Sequence, residues 1–120
     1  MAWSPADATE NIRRIANDEN LTITYTAHAR ERMVGRGLIV SDVLHVLKRG
    51  FCLCPCTPST REGFNKYEMS NRTPNSGGRD VCVVVIPQLD PPFLKLVTVM
   101  WLDEPETRAG TVIGVDDDNV

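Results

Sequence analysis

Ala8, Ile12, Ile15 and Ala16 recur at helical spacing behind Ser4-Pro5, a capping hydroxyl followed by proline at the first helical position. The pattern predicts an amphipathic helix from Pro5 to about Asn17. After the polar break Asn17–Asn20, the run Leu21-Thr-Ile-Thr-Tyr25 alternates apolar residues with threonine, as a short half-buried strand does. Thr26 can cap a second helix from Ala27 to about Val34, with Ala29 and Met33 as its apolar stripe and Gly35 and Gly37 as its stop. Ser41 is the expected cap of a third helix, with Asp42 near its positive end, Val43, Leu44 and Leu47 on its buried side, and Gly50 ending it.

From there the pattern shortens to strands. Phe51–Cys56 reads as extended, a turn-rich PSTREG loop follows, and Phe64–Ser70 is the next strand. NRTPNSGG has the composition of a loop. Asp80–Pro87 contains VCVVVI, a continuous apolar and β-branched run suited to a central strand covered on both faces. Beyond QLDPP, Phe93–Trp101 is strand-like but alternates less cleanly. Consecutive strands with short connections predict an α+β fold, with the helices packed on one side of a curved, mainly antiparallel four-stranded sheet, and not a βαβ array. The expected organisation is one domain over residues 4–102 and an acidic tail over 103–120, with no internal repeat.

A chain of 120 residues has room for one core, and 42% apolar with 24% charged residues excludes global disorder. No stretch approaches the roughly 20 apolar residues a membrane-spanning helix needs. The opening MAWSPADATENIRR lacks a basic segment followed by an apolar one, so the expected location is the cytoplasm. The net charge of −3 hides an uneven distribution. Residues 103–120 hold six acids and one base, leaving ten acids and twelve bases in residues 1–102. Between His28 and Arg79, nine bases face four acids. An acidic tail on a locally basic body can shield that body from anions, or merely keep it soluble.

The run FCLCPC sets Cys52, Cys54 and Cys56 at even spacing, so in a strand their thiols share a face, with Phe51 and Leu53 on the other. Structural zinc sites pair cysteines two to four residues apart and add a second pair elsewhere. Here that second pair is missing, although Cys82 and His45 could complete a site. Reduced thiols packed beneath a helix are the favoured reading, and no metal or other cofactor is expected.

The stretch TAHARERMVGRGLIVSDVLHVLKRG, residues 26–50, resembles a family of uncharacterised small bacterial domains. Its signature is a His-Ala-x-x-Arg-Met helix, an Arg-Gly turn, a Ser-Asp-initiated helix and a closing glycine. NKYEMS, GGRDVCVVVI and LKLVTVMW also look like that family's sheet, so the resemblance spans roughly residues 22–102. The family resembles in turn the RelE/ParE toxin superfamily, whose helices pack on a curved antiparallel sheet. Many members are ribonucleases of toxin–antitoxin modules, and several only bind partners. The resemblance implies metal-independent cleavage of RNA, with messenger RNA as the expected substrate class, and a separate antitoxin protein as partner. The acidic overall charge departs from the strongly basic character of such nucleases.

Cleaving RNA without a metal requires a base for the 2′-OH proton, an acid for the leaving oxygen and positive charge around the phosphorus. His28 is a candidate acid or base. Arg32, one turn on, offers a fork for phosphate oxygens, and Arg36 and Arg79 are further phosphate-clamp candidates. Lys66 and Tyr67 point to opposite faces of one strand, so only one should reach the site; Tyr67 is favoured, to orient phosphate or stack on a base. Each has a plainer role. His28 could bond to a neighbouring strand, Arg32 could pair with Glu31 or Glu68, and Arg36 could sit in a solvated turn. Two rivals therefore stand beside the nuclease: a non-catalytic module binding protein or nucleic acid through the same surface, and a zinc module on the three cysteines.

Overall fold

The computed structural model describes residues 2–103. Helix α1 (Pro5–Ala16) begins as its sequence predicts: Asp7 N–H donates to Ser4 Oγ at 3.2 Å, and Ala8, Ile12, Ile15 and Ala16 are buried. Strand β1 (Thr22–Tyr25) leads into Thr26, which caps helix α2 (Ala27–Arg36) by accepting Ala29 N–H at 3.0 Å. The helix runs two residues past the expected end at Val34. The left-handed conformation that stops it, φ 68°, falls on Gly37, while Gly35 stays helical at the modest cost of a glycine near a helix end. Arg36 is therefore part of the last turn of α2 and not of a Gly-Arg-Gly turn.

Helix α3 (Val40–Arg49) also starts earlier than its sequence suggests. Ile39 occupies the cap position and Ser41 lies inside the first turn. The capping is done in reverse, by Asp42, whose carboxylate accepts Ile39 N–H at 3.0 Å. Val43, Val46 and Leu47 are buried, and Leu44, expected among them, is half-buried.

Among the described residues the sheet has six strands and is mixed, where a mainly antiparallel sheet of four strands was expected. The order is β1-β6-β5-β4-β2, built from β1, β2 (Phe51–Cys52), β4 (Asn65–Arg72), β5 (Asp80–Gln88) and β6 (Phe93–Trp101), with β3 (Thr57–Pro58) pairing β4 off this path. All neighbours are antiparallel except β1, which runs parallel to β6 with Thr22 opposite Phe93 and Tyr25 opposite Leu96. The expected strand 51–56 breaks into β2 and β3. Cys52 registers with Met69 and Thr57 with Lys66, so five steps of chain oppose three and the segment around Pro55 is extruded.

The uneven pattern of β6 has a cause in this register. Val84 pairs with Thr98 but Val85 with Leu96, leaving Val97 as the extra residue of a β-bulge. Leu94, Leu96 and Val99 thus face the helices, while Val97 joins Cys82, Val84, Ile86 and Met100 in a second cluster against Phe64 and Leu102. All three helices contribute to the first cluster and none to the second, so they lie on one side of the sheet.

Asp42 is 1% exposed, yet fully partnered: Thr73 Oγ1 donates to it at 2.7 Å and Asn75 Nδ2 at 3.1 Å, besides Ile39 N–H. Burial pushes its carboxyl up, but these donors, with the nearby His45, outweigh burial and hold it below the usual carboxylate range. A depressed folded value stabilises the protein above the unfolded carboxylate pKa of about 3.9, and that stability is lost as pH falls through the folded value. Asp42→Asn should cost about 1–3 kcal/mol at neutral pH, and urea titrations across the acid range should show a shallower fall below about pH 4 than wild type. An unchanged acid limb would show that the network contributes nothing. At the other end of α3, a Cβ on Gly50 would collide with Val46 O and lie 2.9 Å from Ser70 O. Both are backbone atoms that cannot swing away, so Gly50→Ala should destabilise by about 1–3 kcal/mol in the same titration.

Candidate functional site

Thr26 positions α2, and α2 positions His28 and Arg32. Besides capping the helix, Thr26 donates from Oγ1 to Val97 O at 2.9 Å and from its N–H to Leu96 O at 3.1 Å. The first helical turn is thereby fastened to the bulge of β6. One turn on, Arg32 Nε donates to His28 Nε2 at 3.0 Å, between two half-buried side chains. An arginine does not give up its proton, so Nε2 must be the acceptor, and the ring carries its hydrogen on Nδ1. Among the described residues this is the one hydrogen bond of Arg32, and its outer amines point to no carboxylate, Glu31 and Glu68 included. Because α2 continues to Arg36, that guanidinium follows Arg32 by one turn on the same helix surface.

The other candidates lie elsewhere. Tyr67 is 3% exposed on β4, separated by β5 from the strand that α2 is fastened to. Its hydroxyl accepts Trp3 N–H at 2.8 Å and its ring packs on Trp3 with centroids 5.3 Å apart. Burial first, then the Cys56 and Cys52 thiols, push the phenol above its ordinary value, against the pull of the Trp3 amide. A ring so enclosed presents no face to a base, and the structure does not bring Tyr67 to His28 and Arg32. Lys66, half-buried, projects to the opposite side of β4, away from the helices.

Arg79, just before β5, is engaged. Its Nη2 meets Asp103 Oδ1 at 2.7 Å, its Nε meets Oδ2 at 3.2 Å, and its guanidinium lies 4.1 Å from the Trp101 ring centroid. Hydrogen bonds from Arg79 hold the Asp103 carboxyl below its usual range. An incoming phosphate must displace this carboxylate to use Arg79. The shielding role considered for the acidic tail thus has a concrete contact at its first residue; residues 104–120 lie outside the described ones.

None of the four cysteines forms a disulfide. Cys52 is buried, Cys54 and Cys56 are half-buried, and Phe51 and Leu53 are exposed, the division expected from the spacing. Cys52 Sγ donates to Cys54 O at 3.3 Å, and burial raises its thiol above the ordinary range. No group of three or more Cys, His, Asp or Glu among the described residues is arranged to hold a metal ion. Sequence reasoning missed Arg13, whose Nε and Nη2 donate to Gly50 O and Arg49 O at 2.8 and 3.0 Å while its guanidinium stacks over Phe51. It serves the end of α3, and nothing in local sequence signals a bond between residues so far apart. Also missed was an apolar groove beside α2, for which the run Leu38-Ile39-Val40 was the available signal. No helix among the described residues is long and apolar enough to cross a membrane.

A family model described as Domain of unknown function (DUF4258) matches residues 25–101, from the last residue of β1 to the end of β6. No curated protein and no solved structure matches the chain. If Asp103 competes with anions for Arg79, Asp103→Asn should tighten binding of a short single-stranded RNA several-fold. The slope of log affinity against log salt should steepen by about one. Fluorescence anisotropy over a salt series reads both, and identical slopes would show that Arg79 lies outside the anion-binding surface.

Proposed function

From the premise that the chain belongs to DUF4258, a family of unknown function, we propose that it is a toxin-like endoribonuclease that cleaves RNA without a metal ion. The observation that carries this reading is the Arg32–His28 contact: a histidine whose Nε2 lone pair is held by an arginine with its outer amines open. Supporting it are the excess of bases between His28 and Arg79 and the presence of Arg36 on the next turn. The sheet centre β4-β5-β6 is antiparallel and carries helices on one face, which is compatible with kinship to the RelE/ParE toxins.

In this reading a phosphodiester draws the Arg32 fork onto its non-bridging oxygens, which releases His28 Nε2. Nε2 then takes the 2′-OH proton as O2′ attacks phosphorus. The P–O5′ bond breaks, the 5′-oxygen takes a proton from water, and the products are a 2′,3′-cyclic phosphate and a 5′-hydroxyl. Arg32 and Arg36 offset the charge that builds on the phosphoryl oxygens. Tyr67 belongs to the core in this scheme, and Lys66 and Arg79 lie outside the reacting centre. The setting is the bacterial cytoplasm, with messenger RNA as substrate class and a separate antitoxin as partner.

The enclosure of Tyr67 and the engagement of Arg79 favour a second reading, a non-catalytic module that binds a protein or nucleic acid through α2. Incubating the full chain with RNA in the presence of chelator separates the two. Discrete fragments ending in cyclic phosphate, lost on His28→Ala and reduced at least about tenfold on Arg32→Ala, are the expected outcome for the nuclease. RNA that stays intact, or cleavage untouched by both substitutions in folded protein, excludes it.

A further inference from the structure

On the face of the sheet opposite the helices, the connection between β3 and β4 meets the paired ends of β5 and β6 around a recess of about 80 Å³. Strand alternation supplies one wall. Ile86 pairs with Lys95 and Gln88 with Phe93, and Ile86 belongs to the cluster turned away from the helices, so all four side chains rise on that face. The connection supplies the other wall and is itself tied down. Ser59 N–H donates to Phe64 O at 3.0 Å, Phe64 N–H to Arg61 O at 3.2 Å, and Arg61 N–H to Ser59 Oγ at 3.0 Å. Phe64 packs on the same cluster as Ile86, and the Arg61 guanidinium lies 5.9 Å from the Phe64 ring centroid. Ser59, Arg61 and Phe64 thus border the recess together with Ile86, Phe93 and Lys95.

The charge of the recess is one-sided. Arg61 and Lys95 line it and no acid does. Among the described residues neither forms an ion pair, in contrast to Arg79, which Asp103 holds. Two like charges converging on one recess repel each other and concentrate anions there. An oxyanion placed between them relieves that repulsion and accepts charge-assisted hydrogen bonds from both. The rest of the lining is mainly apolar, and the rings of Phe64 and Phe93 favour a flat aromatic occupant over an aliphatic one. Size narrows the choice further. One water needs about 10–15 Å³ on the same measure, so the recess takes a handful of waters or one small substituted ring. We propose that this recess binds a small aromatic acid, a single ring bearing a carboxylate or a phosphate, with its oxyanion between Arg61 and Lys95 and its ring against Phe64 and Phe93. The site lies across the sheet from α2 and does not depend on whether His28 and Arg32 cleave RNA.

Benzoate and phenyl phosphate, titrated separately into isotopically labelled full-length protein and followed by NMR, test this, with benzamide and benzylamine as neutral and cationic counterparts. Saturable shifts confined to residues 59–64, 86–88 and 93–95 are expected for at least one acid. A ligand of about ten heavy atoms should bind with a Kd on the order of 1 mM, more weakly as salt rises. The tighter of the two acids identifies the oxyanion. Arg61→Gln and Lys95→Gln, at side chains that belong to neither core cluster, should each weaken binding at least about fivefold. Lys48→Gln, at an exposed position of α3, should leave it unchanged. No saturation up to about 20 mM acid, equal binding of benzamide or benzylamine, or affinity untouched by both substitutions would overturn the proposal. Inorganic phosphate binding as tightly as phenyl phosphate, with benzoate silent, would do so too, because the ring would then contribute nothing. A short single-stranded RNA that shifts these residues while neither acid does would assign the recess to nucleic acid instead. RNA cleavage is read separately, so failure here leaves the His28–Arg32 reading standing, and the converse holds.

Discussion

The placement of α2 depends on what Thr26 does at the end of β1. Its N–H and hydroxyl bond to Leu96 O and Val97 O, and the same hydroxyl accepts Ala29 N–H to start the helix. One residue thus ends the parallel pairing of β1 with β6, bonds the carbonyl of the bulge residue Val97, and caps α2. His28, Arg32, Arg36 and the groove lined by Arg30 and Val34 all inherit their positions from this junction.

Charge on the molecule is divided between pairs that hold structure and groups that remain available. Asp42 is consumed by the link between α3 and the β4–β5 loop, and Arg13 by the carbonyls at the end of α3. Arg79 is drawn to Asp103 and Trp101. Arg32 differs, because it keeps only a neighbouring histidine as its described partner. Three of the nine bases between His28 and Arg79 therefore sit on one short helix, α2.

The sequence reading identified α1, Thr26 as a cap, and β6 from Phe93 to Trp101, because each rests on local rules: a hydroxyl before a proline, an apolar stripe, a β-branched run. It misjudged places where two local signals compete. Gly35 and Gly37 both look like stops, and only a backbone torsion, φ 68° at Gly37, tells them apart. Ser41 and Asp42 both look like helix starters, and the carboxylate prevails by reaching back to Ile39 N–H. In the candidate site, the His28–Arg32 contact was legible because i and i+4 are neighbours on any helix. Tyr67 was not, because alternation says that it and Lys66 part company but not which face holds the core.

The sequence by itself determined the α+β class, the helix-bearing half followed by the strand-bearing half, the cysteine–phenylalanine alternation and the arginine-rich surface of α2. These follow from periodicity and capping within a few residues of each position. Only the tertiary structure decided the parallel β1–β6 pair, the bulge at Val97, the enclosure of Tyr67 under Trp3 and the engagement of Arg79 by Asp103. Apart from the Arg79 pairing, these join residues dozens of positions apart, or depend on a register that such joining imposes. No periodicity encodes which distant strand or side chain will be met, since that is settled by burying all the apolar faces at once.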